Sequence, residues 1–134
     1  VPCISLLIRK RLVGVDRGAL SNMILGLRFF FALVLLSMLA VTSWASWECA
    51  LWKTPREVAT HPWFIVTLFD TYWAFLTFYC WLAYREGSWP ARLGWLAGVL
   101  LLGNIAMAIY MLIRLFKVRA DGNIEDVLLK ERSP

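Results

Sequence analysis

Apolar residues in this chain come in long unbroken runs, and the charges gather where the runs stop. Residues 29–47 carry no charged side chain, residues 62–84 carry only Asp70, and residues 93–113 carry none. Each run is close to the about 20 apolar residues that a helix needs to cross a bilayer. None shows the strict two-residue alternation of a half-buried strand. The pattern predicts an all-α fold, an integral membrane bundle of three transmembrane helices spanning 23–47, 63–84 and 92–116, with a short amphipathic C-terminal helix.

The boundaries have local chemistry behind them. Arg28 can snorkel from the start of the first run. Ser43 and Ala45 could mimic a signal-peptide cleavage site, but the run exceeds the roughly 7–15 residues of a signal core, which favours a retained helix. Residues 48–61 read as a polar connection. Pro62 suits a first helical turn, where its missing N–H would be unpaired anyway. In the turn over 85–90, Gly87 can end one helix and Pro90 can begin the next. Arg114, Lys117 and Arg119 close the third run.

Outside this 23–117 domain lie two tails. Residues 1–22 hold the basic cluster Arg9, Lys10, Arg11, and Met23 stands directly before the first run. The sequence is therefore compatible with a product that starts at Met23, with 1–22 as an extension. Residues 118–134 are polar, and 123–132 has the pattern of a short capped amphipathic helix.

Composition agrees with the pattern. Hydrophobic residues make up 60% and charged residues 17%, against roughly 45–50% and about 25% in soluble domains. Trp47, Trp52, Trp63 and Trp89 sit near run ends, where indoles favour the membrane interface, and with Arg114 and Lys117 they read as interface anchors. The expected location is a membrane, that of the bacterial cytoplasm, and the expected partner is the lipid bilayer. The net charge of +5 then reflects juxtamembrane cations rather than nucleic-acid binding, because no basic stripe is interleaved with stacking aromatics.

Orientation stays undecided. Three crossings place Arg9, Lys10, Arg11, Arg17, Arg28, Arg85 and Arg92 on one side, and Lys53, Arg56, Arg114, Lys117, Arg119, Lys130 and Arg132 on the other. A start at Met23 leaves Arg28, Arg85 and Arg92 against the same opposing set and puts the C-terminus in the cytoplasm.

Catalytic and metal chemistry finds little footing. Cys3, Cys49 and Cys80 form no spaced ligand set, and the single histidine, His61, precedes a proline at a predicted helix start. Glu48, Glu57 and His61 share a connection but not a ligand spacing. No nucleophile–base pair is visible. No metal, cofactor or enzymatic activity is expected.

Asp70 is the conspicuous residue, since hydrocarbon cannot solvate a carboxylate. Helical projection groups Trp63, Asp70, Ala74, Thr77 and Trp81, with Thr67 at the margin. On the third run Gly94, Gly98, Asn104 and Ala108 share a face, and Gly94-x-x-x-Gly98 permits close helix approach. Antiparallel spans joined by a short turn would bring Asp70 and Asn104 to similar depth, with Ser37 nearby. The expectation is a buried Asp70–Asn104 contact, supported by Thr67, Thr77 and Ser37, with Gly94, Gly98, Ala74 and Ala108 as packing positions. Such a contact fits a non-enzymatic accessory or scaffold subunit, or a homo-oligomer. The alternative is an oligomeric ion- or proton-coupled transporter or channel that titrates Asp70.

Residues 61–86 (HPWFIVTLFDTYWAFLTFYCWLAYRE) and 101–117 (LLGNIAMAIYMLIRLFK) resemble a family of small three-span bacterial and plant integral membrane proteins of unknown function. The shared features are the Pro-Trp start, the Asp-x-Tyr within the helix and the Gly-Asn of the next helix, here Pro62, Trp63, Asp70, Tyr72, Gly103 and Asn104. The resemblance covers residues 23–117. It implies the three-span architecture and the choice of Asp70 and Asn104, and brings no activity.

Overall fold

The computed structural model describes residues 17–118 and 127–128. They form α1 (Arg17–Glu48), a 3-10 turn (Leu51–Lys53), α2 (Arg56–Ala59), α3 (Pro62–Arg85), α4 (Trp89–Leu102) and α5 (Asn104–Lys117). No strand occurs among the described residues, so the all-α expectation holds. Two helices, α1 and α3, are long and apolar enough to cross a membrane.

Sequence signals set most of the helix ends. His61 precedes Pro62 and is extended (φ −64°, ψ 129°), because the proline ring disfavours a helical residue before it. Glu86 and Ser88 are also extended, which breaks the chain between α3 and α4. One boundary differs from the sequence reading. The described part of α1 runs from Arg17, so residues 17–22 are in the helix that passes through Met23 rather than in a tail. The predicted C-terminal helix over 123–132 lies mostly outside the described residues. Of it, Val127 is buried and Leu128 exposed.

The larger correction concerns the third span. Residues 92–116 are not one helix but parts of two, of 14 residues each, separated at Gly103. Gly103 has φ 53° and ψ −123°, a conformation that only glycine adopts without strain. The chain reverses there: a Cβ built on Gly98 of α4 lies 3.7 Å from the Cβ of Ala106 in α5. The rings of Trp95 and Tyr110 meet edge to face at 5.0 Å. α4 and α5 are thus an antiparallel hairpin. Each arm is about 21 Å long at about 1.5 Å per residue, short of the about 30 Å hydrocarbon layer.

The hairpin lies between the two long helices, with α1 packed along α5 and α3 along α4. Ile24, Leu82, Val99, Ala106, Tyr110, Met111, Leu115 and Val127 form the buried core. Tyr110 is its largest fully buried side chain, and the rings of Phe78, Trp81 and Trp95 surround it. Beyond the hairpin tip the packing stops. Residues 39–49 of α1 and its connection are all exposed, as are residues 65–70 of α3.

Candidate functional site

Two groups of polar residues emerge, one in the open half of the long helices and one at the packed end. In the open half, Asp70 is exposed on α3 and Asn104 is exposed at the start of α5. No hydrogen bond joins them, and none reaches either side chain among the described residues. The expected buried contact assumed that Asn104 continued an uninterrupted helix. The reversal at Gly103 instead puts Asn104 at the hairpin tip. That tip rests on Phe75, which approaches Gly103 so closely that a Cβ there would lie 2.6 Å from the ring.

The hydroxyls expected to support Asp70 turn back on their own helices. Thr67 donates to the Trp63 carbonyl at 2.8 Å and Thr77 to the Trp73 carbonyl at 2.9 Å. Ser37 donates to the Val34 carbonyl at 2.9 Å. Such bonds satisfy a hydroxyl where no water or neighbouring chain does. Asp70 makes no such bond, and its side chain is exposed.

The packing positions divide. Gly98 packs on Ala106 across the hairpin and Ala108 is buried, whereas Gly94 has open space beside it and Ala74 is exposed. Trp47, Trp52, Trp63 and Trp89 are all exposed, and so is Lys117. Arg114 is not a free anchor: its guanidinium pairs with Glu86.

That pair belongs to the second group. Glu86, directly after α3, accepts a hydrogen bond from the Tyr110 hydroxyl at 3.0 Å and another from Arg114. Arg114 Nε also donates to the Tyr110 hydroxyl at 3.3 Å. Burial pushes the Glu86 carboxyl upward, but the bonds from Arg114 and Tyr110, with the charges of Arg114 and Lys117, outweigh it and hold the group below its usual range. Arg92 Nε donates to the Glu86 carbonyl at 2.9 Å, and the Tyr79 hydroxyl donates to the Arg92 carbonyl at 3.1 Å. Arg28 reaches over from α1. It donates to the Leu115 carbonyl at 2.8 Å and 3.1 Å and to the Val118 carbonyl at 2.8 Å, and lies 5.0 Å from the Phe116 ring centre. The buried Arg85 donates to the Val127 carbonyl.

Sequence reasoning missed Glu86, Tyr110 and Arg28 as partners. Tyr110 and Arg114 do share a helix face at four-residue spacing, which was a usable signal. Nothing in the sequence indicated that the chain brings them back to Glu86. Chemically, this group joins the end of α3, the start of α4 and the end of α5, with Arg28 of α1 beside them, through donors and acceptors. Its hydroxyl–carboxylate pair, Tyr110 with Glu86, belongs to a fully buried tyrosine and is held by Arg114.

A family model described as "Protein of unknown function (DUF1475)" matches residues 5–133. That span includes residues 5–22, which the resemblance noted from the sequence did not cover. No curated protein and no solved structure matches the chain.

Proposed function

The chain belongs to this family of unknown function, which lends it no activity, and we propose from its own residues that it is a non-enzymatic integral membrane protein acting as an accessory or scaffold subunit or as a homo-oligomer. α1 and α3, of 32 and 24 residues, are the crossing segments. Phe29, Leu36 and Trp44 on α1 and Val66, Phe69 and Trp73 on α3 are all exposed. Contiguous apolar surface on soluble monomers rarely exceeds a few hundred Å², and lipid is the solvent that suits two helices exposed in this way.

The observation that carries the assembly reading is the exposure of Asp70 without a donor among the described residues. At hydrocarbon depth a carboxylate has to be paired, protonated or hydrated. A neighbouring chain supplies the donor in this reading. Asn104 of a second copy fits that role, since the hairpin tip lies within about two helical turns of Asp70 in depth. A single interhelical hydrogen bond contributes about 0.6–2 kcal/mol, or about 3- to 30-fold in association.

Asp70→Leu and Asp70→Asn, purified in mild detergent and reconstituted, test this. Wild type and Asp70→Asn are expected to form the same oligomer or complex, and Asp70→Leu to dissociate at several-fold higher concentration. Wild-type assembly by Asp70→Leu would end the reading. Normal assembly of Asp70→Asn combined with loss of a proton flux that wild type shows would favour the transporter.

A further inference from the structure

The reversal at Gly103 changes which side of a bilayer each charged segment occupies. After a third crossing, residues beyond 113 would leave on the face opposite Ser88. A hairpin returns them to the face it came from. Its arms have 14 residues each, about 21 Å of helix, and its tip meets α3 at Phe75, about 15 Å along that helix from Arg85. Neither arm goes beyond the middle of the layer that α3 would cross.

Resting on the membrane reading above, we infer that α4 and α5 form a re-entrant hairpin whose two ends, together with the N-terminal end of α1, face the anionic cytoplasmic leaflet. Three sets of contacts tie the two hairpin ends, the end of α3 and the Arg28 turn of α1 to one level, and the part of α1 before Arg28 continues outward from it. Arg28 of α1 caps the last carbonyls of α5. Glu86, at the end of α3, holds Tyr110 and Arg114 of α5. Arg92, at the start of α4, bonds the Glu86 carbonyl. The tie of charges expected for three crossings then disappears. Among the described side chains, Arg28, Arg85, Arg92, Arg114 and Lys117 lie at this end, and only Lys53 and Arg56 lie in the connection at the other. Lysine and arginine accumulate on the cytoplasmic side of membrane proteins, where anionic head groups attract them. Trp89, exposed beside Arg92 with the guanidinium 5.7 Å from its ring centre, adds an indole suited to the same interface.

Native Cys49, exposed in the far connection, is a ready reporter. One variant keeps it and carries Cys3→Ser and Cys80→Ser. Two others add Cys49→Ser with either Ser88→Cys or Lys117→Cys, both exposed positions, and Ser88 makes no side-chain cap bond. Each is treated with a membrane-impermeant maleimide in sealed right-side-out and inverted bacterial membrane vesicles. Cys49 is expected to react in right-side-out vesicles, and Ser88→Cys and Lys117→Cys only in inverted ones. Reaction of Ser88→Cys and Lys117→Cys from opposite faces would overturn the hairpin topology. Reaction of both from outside would overturn the leaflet assignment. Alkaline carbonate separates these failures from that of the membrane reading: protein stripped from the vesicles by carbonate is not integral, and the inference falls with it.

Discussion

At the scale of single residues, Gly103 and Glu86 govern the structure for different reasons. Gly103 combines a positive φ with the close approach of Phe75, so Gly103→Ala meets both backbone strain and a clash. A loss of about 1–3 kcal/mol is expected, the usual cost of a strained backbone position. Detergent-solubilised thermal or chemical unfolding checks it. Phe75→Ala carries its own cost for the packed ring, and a double-mutant cycle should show Gly103→Ala costing less in that background, by the clash it no longer meets, while the strain remains. Glu86 makes a pH prediction. Its carboxyl is held below the ordinary value of 4.5 in the fold, with burial outweighed by Arg114 and Tyr110. Its stabilisation is therefore complete above that value and fades as pH falls through the lower folded value. The difference in melting temperature between wild type and Glu86→Gln should be constant above about pH 5.5 and shrink below about pH 4. A difference that grew on acidification would contradict the assignment.

At the scale of helices, the ends explain more than the middles. The last carbonyls of a helix have no partners within it, and in α5 Arg28 supplies donors to Leu115 and Val118 from a different helix. Arg28→Met should cost about 1–3 kcal/mol, the range for leaving buried polar groups unpaired. It should also raise amide exchange selectively in the last turn of α5. Arg28→Lys should recover little, because an ammonium cannot reproduce the forked donor geometry. Uniform loss of protection across α1 instead would show that Arg28 acts by packing rather than by capping. The start of α3 was legible in Pro62, and the break after it in Gly87 and Pro90, because proline and glycine act on the backbone locally. The break at Gly103 was not legible as a reversal. An isolated glycine in an apolar run is usually tolerated within a helix, and hydropathy records composition without direction. What fixes the turn is the fit of Gly98 on Ala106 and of Trp95 on Tyr110, contacts that exist only once the chain has folded back.

At the scale of the molecule, one event at Gly103 accounts for both successes and failures of the sequence reading. Helical content and the two long apolar helices were visible in the pattern of runs and charges. The Asp70–Asn104 contact and the division of charges rested on a third continuous crossing, and both changed when that helix became a hairpin. Glu86, Tyr110 and Arg114 were present as letters, but only the reversal makes them neighbours. The account therefore depends most on whether residues 89–117 double back. Gly98→Cys with Ala106→Cys, in a background of Cys3→Ser, Cys49→Ser and Cys80→Ser, tests this directly. A Cβ at position 98 lies 3.7 Å from that of Ala106, close to the mean of about 3.8 Å across a disulfide. In an uninterrupted helix the two positions would be about 12 Å apart along the axis. Mild oxidation in membranes, followed by proteolysis and mass spectrometry, is expected to give an intramolecular 98–106 crosslink in most of the protein. Free thiols at both positions, or crosslinks only between chains, would contradict the hairpin.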